Sequence, residues 1–178
     1  GEIPFYEPGL LELVRRNQEK NRLRFSTSPQ EAVEYAYVIF NCVGTPQSED
    51  GSADINYVIG AAENIAKFMT TSKIVVNKST VPVGSAKRVA KKIKQILDER
   101  NQNFHFDVVS NPEFLREGNA INDFMHPDRV VIGSEDKYSI KIMKNLYKKF
   151  VKSSSALIVM DTLSSELTKY TANSLLAC

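Results

Sequence analysis

The feature that most constrains the fold is a regular alternation between short apolar runs and longer segments of helical period. Five runs rich in β-branched residues lie at positions 36–43, 73–76, 106–110, 129–133 and 156–160, and such runs are typical of buried strands. Segments with apolar residues at steps of three and four lie between them, at 56–69, 85–100 and 137–150. Strands that alternate with helices predict an α/β fold with a mostly parallel, doubly wound sheet.

Composition excludes several classes of function. The 178 residues carry 23 basic and 21 acidic side chains, a balance that does not suggest a nucleic-acid-binding or membrane-surface protein. No apolar run approaches the roughly 20 residues that span a bilayer. We therefore expect a small-molecule ligand.

The cysteines and histidines suggest neither a disulfide framework nor a metal site. The chain has two of each, Cys42 with Cys178 and His105 with His126, and their spacing matches no metal-ligand pattern. We interpret both cysteines as structural, since neither has an activating His or Asp nearby in the sequence. So few cysteines favour a reducing cytoplasm.

Both ends of the sequence indicate a piece of a longer protein. None of the eight glycines fits the G-x-G-x-x-G pattern that opens dinucleotide-binding domains, so the phosphate-binding turn is absent. The last segment predicts a helix capped by Asp161, Thr162 or Ser164. It reaches Cys178 without a C-cap glycine or a basic last turn, so we expect it to continue.

Three loops leave predicted strands at one edge of the sheet. They are residues 41–46 (NCVGTP), 77–84 (NKSTVPVG) and 111–118 (NPEFLREG). Ligands of parallel α/β sheets collect at the carboxyl ends of the strands, where loops and helix N-termini present polar groups. We predict that these loops line one ligand site.

In the second loop, Thr80 offers a hydroxyl group just before Pro82, which fixes the backbone and is expected to open the following helix. A ligand or a water molecule there would meet a positioned donor and acceptor. The alternative is that Ser79 or Thr80 only caps that helix, which is the commonest role of such residues.

In the third loop, Glu113 and Glu117 lie four residues apart. If the segment after Pro112 is helical, both carboxylates lie on one face near the positive end of the helix. Paired carboxylates can orient water and move protons. The alternative is an ordinary acidic first turn that interacts with the helix dipole.

The terminal helix places Lys169 and Asn173 four residues apart, so their side chains project to the same side. A cation and an amide donor together could stabilise a developing oxyanion. The alternative is a surface ion pair between Lys169 and Glu166, three residues earlier.

Taken together, the motifs of this chain resemble those of the UDP-glucose 6-dehydrogenase family in their amino-acid sequences and in their order along the chain. They are residues 3–10 (IPFYEPGL), 43–46 (VGTP), 49–54 (EDGSAD), 78–84 (KSTVPVG), 111–118 (NPEFLREG), 122–129 (NDFMHPDR) and 166–173 (ELTKYTAN). The resemblance covers nearly the whole chain.

The resemblance implies a Rossmann-like NAD-binding domain over residues 1–160 and the start of a central connecting and dimerising helix over residues 161–178. Members of the family oxidise the C6 alcohol of the UDP-sugar to a carboxylate by two successive hydride transfers to NAD, through a thiohemiacetal on a cysteine. The glycine-rich turn would precede Gly1, and the catalytic cysteine would follow Cys178. The parent would be a cytoplasmic, homodimeric enzyme, and the chain alone would be inactive.

The resemblance also implies roles for individual residues. Catalysis would use Thr80, Glu113, Lys169 and Asn173. The NAD cleft would be lined by Val43, Thr45, Pro46, Ser79, Thr80 and Glu117. The UDP-sugar would contact Glu113, Phe114, Leu115, Arg116, Lys169 and Asn173. No metal is implied.

Two alternative functions stay open. A sister enzyme would oxidise UDP-N-acetylmannosamine or GDP-mannose with the same fold and chemistry, and a substrate panel distinguishes it. A non-catalytic nucleotide-binding module would lack both the upstream glycine-rich turn and the downstream cysteine, so the flanking sequence distinguishes that alternative.

Overall fold

The computed structural model describes residues 3–49 and 51–177. The strands are β1 (Val38–Asn41), β2 (Lys73–Asn77), β3 (Phe106–Ser110), β4 (Val130–Gly133) and β5 (Leu157–Met160). The helices are α1 (Leu10–Glu19), α2 (Pro29–Tyr35), α3 (Asn56–Phe68), α4 (Ser85–Glu99), α5 (Ala120–Met125), α6 (Lys137–Tyr147) and α7 (Thr162–Ala177). All five predicted strands and the predicted helices between them are confirmed.

The five strands form one sheet in the order β1-β2-β3-β4-β5. The first three strands are parallel to one another, and β4 and β5 are parallel to each other. The two sets meet in an antiparallel pair at Ser110 and Gly133. The prediction of a mostly parallel sheet is confirmed, and the reversal brings the carboxyl ends of β3 and β4 to the same place.

Apolar clusters cover both faces of this sheet, as a doubly wound fold requires. Val75 lies in one cluster with Val58 and Val89, from α3 and α4. Val76 lies in the other with Ile132 and with Met143 from α6. Neighbouring side chains of β2 thus enter opposite layers, because successive residues of a strand point to opposite faces.

The prediction that the five strands are buried is wrong for the two edge strands of the described sheet. Every residue of β2 and β4 is buried, but Phe40 of β1 is 38% exposed and Ile158 of β5 is 37% exposed. An edge strand has only one neighbouring strand, so its side chains are covered less completely. Cys42, predicted at a buried strand end, is an exposed free thiol, and Cys178 lies outside the described residues.

Helix α7 packs unusually close to the sheet. A Cβ atom added at Gly133 would lie 2.4 Å from Ser165 Cβ, so only glycine leaves room for the helix at this point. Ser165 Oγ donates to Ser110 Oγ at 2.9 Å. At the start of the helix, Asp161 Oδ1 accepts from Ser164 N at 2.9 Å, which confirms Asp161 among the predicted caps. These contacts place α7 beside the carboxyl ends of β3 and β4.

Among residues 3–49 and 51–177, none of the helices has the length and apolar character that crossing a membrane requires.

Candidate functional site

Two of the three predicted loops are joined by hydrogen bonds at the carboxyl ends of β1 and β2. Ser79 Oγ donates to Val43 O at 2.6 Å, and Thr45 Oγ1 donates to Thr80 O at 2.9 Å. Four of the six residues predicted to line the NAD cleft therefore lie together. Pro46 follows Thr45 directly, and its carbonyl accepts from Asp54 N at 2.8 Å.

The alternative that Ser79 or Thr80 caps α4 is wrong. The helix begins at Ser85, and its N-cap is Gly84, which has the left-handed φ of 93° and makes no side-chain cap. Pro82 lies before the helix in a turn that Ser85 N closes by donating to Pro82 O at 3.1 Å, so the expectation that Pro82 opens the helix is also wrong. The Thr80 hydroxyl makes no hydrogen bond to any described residue, which leaves it available to a ligand.

The prediction that Glu113 and Glu117 share one helical face is wrong. Residues 111–119 are not helical, and α5 begins only at Ala120. In this loop a side chain accepts a backbone hydrogen bond in place of a helical carbonyl. Leu115 N donates to Glu113 Oε2 at 2.6 Å. Such bonds compete with helix formation, and they leave Glu113 half-buried and Glu117 exposed.

A carboxylate from the N-terminal segment holds the end of this loop. Glu7, in the motif at residues 3–10, accepts from Gly118 N at 2.9 Å and from Ala120 N at 2.8 Å. The carboxylate thereby satisfies two N–H groups that precede or begin α5. Sequence reasoning missed this role, because Glu7 lies more than a hundred residues before its partners.

The central ionic contact joins the third loop to α7. Lys169 Nζ donates to Glu113 Oε1 at 3.0 Å, and Lys169 is only 8% exposed. Burial works to raise the pKa of the Glu113 carboxyl, but the Leu115 N–H and the Lys169 ammonium outweigh it, so the pKa lies below its ordinary value. Glu113 is therefore an anion at neutral pH.

The alternative of a surface pair between Lys169 and Glu166 is wrong. Glu166 is 2% exposed and accepts from Gly84 N and Ala86 N at the start of α4. Burial raises the pKa of the Glu166 carboxyl, and those two N–H groups together with Lys87 act against the rise. Lys169 and Glu166 thus contact different parts of the site.

A cavity of about 380 Å³ opens between the third loop and α7. It is lined by all six residues predicted to contact the UDP-sugar: Glu113, Phe114, Leu115, Arg116, Lys169 and Asn173. Asn173 follows Lys169 by one turn of α7, so the predicted common side of the helix is confirmed. The described residues that line this cavity do not include Thr80 or Glu117.

The side chain of Arg116 is bound within the loop region. Its Nη2 and Nε atoms donate to Asp123 Oδ1 and Oδ2 at 2.7 and 3.0 Å. Hydrogen bonds from Arg116 lower the pKa of Asp123 to about 2. The guanidinium is thus already engaged by a carboxylate.

Sequence reasoning missed two cations of the cavity, Lys78 and Arg129. The Arg129 guanidinium lies 4.5 Å from the centroid of the Phe114 ring, and Lys78 Nζ lies 6.0 Å from that of Phe124. Burial lowers the pKa of Lys78; the charges of Cys42 and Glu113 raise it and that of Lys169 lowers it further. The position of Lys78 in the sequence could have indicated this role, because it is a charged residue directly after a strand that is buried throughout.

The floor of the cavity is a fixed polar contact within an aromatic cluster. Tyr147 Oη donates to Asn111 Oδ1 at 2.6 Å, and Asn111 Nδ2 donates to Val131 O at 2.8 Å. Burial, with a smaller effect of Cys42, raises the pKa of Tyr147 to about 12. Because Asn111 directly precedes the segment at Pro112 and Glu113, these bonds fix where the third loop leaves β3.

The carboxyl edge of the sheet also holds buried polar atoms that fit a polar ligand above them. Asn41 and Asn77 end β1 and β2 side by side. Asn41 Oδ1 and both amide atoms of Asn77 are buried without a hydrogen-bond partner among the described residues, although nearly all such atoms are satisfied in folded proteins. With the open Thr80 hydroxyl, this edge suits the amide and hydroxyl groups of a dinucleotide.

The fold and the site together define a class: a nucleotide-binding α/β domain in which unsatisfied polar atoms at the ends of β1 and β2 accompany a cavity with an ionised carboxylate and a buried ammonium. The family model described as "UDP-glucose/GDP-mannose dehydrogenase family, NAD binding domain" matches residues 1–151. The chain therefore belongs to the UDP-glucose/GDP-mannose dehydrogenase family, and the matched part is its NAD-binding domain.

Known proteins agree with this assignment. The UDP-glucose 6-dehydrogenase of Pseudomonas aeruginosa is 44% identical over 177 residues, which are 99% of this chain and 39% of that protein. The structure of a UDP-glucose dehydrogenase from Pyrobaculum islandicum matches 98% of this chain and 40% of its own, with a TM-score of 0.88 and 39% identity. That of the GDP-mannose dehydrogenase from Pseudomonas aeruginosa matches 99% of this chain and 40% of its own, with a TM-score of 0.88 and 32% identity.

Proposed function

We propose that the protein containing this chain oxidises UDP-glucose to UDP-glucuronate by two successive hydride transfers to NAD. The observation that carries the proposal is the Lys169–Glu113 ion pair in a cavity lined by every residue expected to contact the UDP-sugar. The chain spans only about two fifths of its relatives, so the activity is proposed for the whole protein.

The oxidation of an alcohol separates a hydride from a proton, and these residues would handle the proton. NAD, when bound, accepts the hydride. Glu113, held ionised by Lys169, can accept a proton directly or through a water molecule. Lys169 and the Asn173 amide can donate to the oxygen on which negative charge develops.

We propose that the cofactor side is formed by Val43, Thr45, Pro46, Ser79, Thr80 and Glu117. The hydrogen bonds that join the first two loops support this assignment for four of them. The free Thr80 hydroxyl is available to a water molecule between the cofactor and the sugar. Glu117 is exposed in the third loop, so its side chain is accessible to a bound ligand or to another segment of the protein.

The catalytic cysteine would come from outside this chain. Although Cys42 is exposed as a residue, partial desolvation of its sulfur raises the pKa of the thiol, against the nearby charge of Lys78. A raised pKa makes a poor nucleophile at neutral pH. The proposed division is a partial NAD-binding domain at 1–160 and the start of a connecting helix at 161–178.

The choice of UDP-glucose rests on sequence rather than on shape. The UDP-glucose and GDP-mannose dehydrogenase structures match this chain with the same TM-score of 0.88. The UDP-glucose 6-dehydrogenase at 44% identity favours UDP-glucose. A related nucleotide-sugar dehydrogenase is therefore the second candidate.

The test is an assay of the full-length protein with NAD and a panel of UDP-glucose, GDP-mannose and UDP-N-acetylmannosamine. We expect two NADH per UDP-glucose consumed and slower turnover of the other two sugars. Preferred turnover of another sugar would overturn the substrate assignment. Nucleotide binding without turnover of any of them would identify a non-catalytic module.

We further propose a homodimer that acts in the cytoplasm. Leu167, Leu175 and Leu176 of α7 are 54%, 72% and 87% exposed, and exposed leucines on one helix suit a contact with a second subunit. Light scattering of the full-length protein should give the mass of two chains, and cell fractionation checks the location. A monomeric mass at micromolar concentration contradicts the first part.

A further inference from the structure

Two helices that are distant in sequence meet at one buried carboxylate. Glu166 of α7 accepts from Gly84 N at 2.6 Å and from Ala86 N at 2.7 Å. Both of its oxygens are used, and the residue is 2% exposed. The start of α4 is therefore bonded to α7 rather than capped from its own sequence.

This carboxylate replaces a local cap. Gly84, the N-cap of α4, has no side chain, so it offers no acceptor to the free N–H groups of the first turn. A carboxylate at a helix N-terminus satisfies those groups and interacts favourably with the helix dipole. The orientation of α4 at this end thus depends on where α7 holds Glu166.

The segment between Thr80 and α4 couples the position of Thr80 to the orientation of the helix. Val81 is buried in the apolar cluster under α3 and α4. Pro82 O accepts from both Ser85 N and Ser85 Oγ, at 3.1 and 2.6 Å. These contacts leave little freedom between Thr80 and Gly84, so a shift at the start of α4 displaces Thr80.

The cation of the ion pair lies on α7 next to Glu166. Lys169 follows Glu166 by three residues, so the two side chains are neighbours on one face of the helix, about one turn apart. Lys169 contacts Glu113 in the cavity proposed for the UDP-sugar, and Glu166 contacts α4, which follows the second loop, proposed for the cofactor. One turn of α7 therefore fixes both halves of the site.

We propose that Glu166 is a positioning residue that sets the distance between Thr80 on the cofactor side and the Lys169–Glu113 pair on the sugar side. The proposal rests on the proposed function, because that distance controls how the carbon giving up hydride faces the cofactor. Misplacement by about 1 Å can cost on the order of 100-fold in rate.

The experiment is a double-mutant cycle in the full-length protein with Glu166→Gln and Thr80→Val. A glutamine retains the volume but turns one acceptor into an NH₂ group that faces a backbone N–H. We expect E166Q to lower kcat by about tenfold or more, since the cofactor loop shifts, with little change in the KM for UDP-glucose. In the T80V background the same change should cost less than about threefold, because the two residues act through one loop.

The matched control is Asp161→Ala, which removes the side-chain cap that α7 has in its own sequence. It should lower the melting temperature to a similar extent while kcat stays within about twofold, because a cap contributes to stability rather than to the reaction. If E166Q does not fold, E166D replaces it: it keeps the charge but withdraws the carboxylate by one methylene, and kcat should fall in the same way.

If E166Q, or E166D in its place, lowers kcat no more than D161A does, the proposal is overturned and Glu166 is a purely structural cap. Additive effects of E166Q and T80V would overturn it as well. A wild-type protein that binds NAD but oxidises no nucleotide sugar contradicts the proposed function instead. The coupling can then still be tested through the affinity for NAD, which E166Q must lower in the Thr80 protein more than in T80V.

Discussion

Lys169 donates a hydrogen bond of 3.0 Å to Glu113 across 56 positions of sequence, and this contact joins the terminal helix to the loop after β3. Both side chains line the cavity proposed for the UDP-sugar. The ammonium is held by the helix while the carboxylate is held by the N–H of Leu115. The pair is therefore fixed from both sides before a ligand arrives.

Replacement of Lys169 by methionine should lower kcat of the full-length protein about 100-fold or more, because it removes a charged donor to the developing oxyanion. Steady-state kinetics with UDP-glucose measure the effect. The control is Lys94→Met, which breaks an exposed pair with Asp98 on the outer side of α4 and should leave kcat unchanged. Equal losses in both variants would contradict a catalytic role for Lys169.

The pH dependence of the reaction should report the Glu113 carboxyl. Its pKa is depressed in the folded protein, so the ionised form, and the stability that it contributes, are present above the ordinary pKa of a glutamate. Both are lost only as the pH falls through the depressed value. The acid limb of kcat/KM should therefore lie below the usual glutamate range, and it should move to higher pH in K169M. An acid limb that does not move would show that another group controls it.

The sequence predicted the parts of the site that depend on local pattern. Apolar runs located β1, β2 and β3 in the sequence. Helical spacing placed Lys169 and Asn173 on one side of α7. The helix predicted after Pro112 does not form there, because carboxylates from other segments accept from N–H groups of this region. Arg116 N donates to Asp123, 7 positions away, and Ala120 N donates to Glu7, 113 positions away. The alternative of a surface pair between Glu166 and Lys169 was open for the same reason, because no residue close to Glu166 in sequence indicates that its partners lie at the start of α4.

The close approach of α7 to the sheet predicts a large effect at Gly133. A methyl group there would overlap Ser165, so Gly133→Ala should destabilise the protein by about 1–3 kcal/mol. Gly60→Ala is the control: Gly60 lies in α3 with no atom within 4 Å of an added Cβ, and it should be neutral or stabilising by up to about 1 kcal/mol. Urea unfolding measures both, and S165G should partly restore the stability of G133A. A neutral G133A would show that the helix can move away from β4.

The final prediction concerns Lys78, one of the two cations that sequence reasoning left without a role. It lies at the start of the second loop and lines the cavity proposed for the UDP-sugar, where Glu113 raises its pKa and Lys169 lowers it. Lys78→Met should weaken the binding of an anionic nucleotide sugar and raise the pKa of Glu113, because Lys78 is one of the charges that lower it. We expect the KM for UDP-glucose to rise by about 10- to 100-fold, in keeping with the loss of a charge-assisted hydrogen bond worth about 1.5–3 kcal/mol. The control is Lys91→Met, on the exposed side of α4. An unchanged KM in K78M would place the sugar nucleotide away from this side of the cavity.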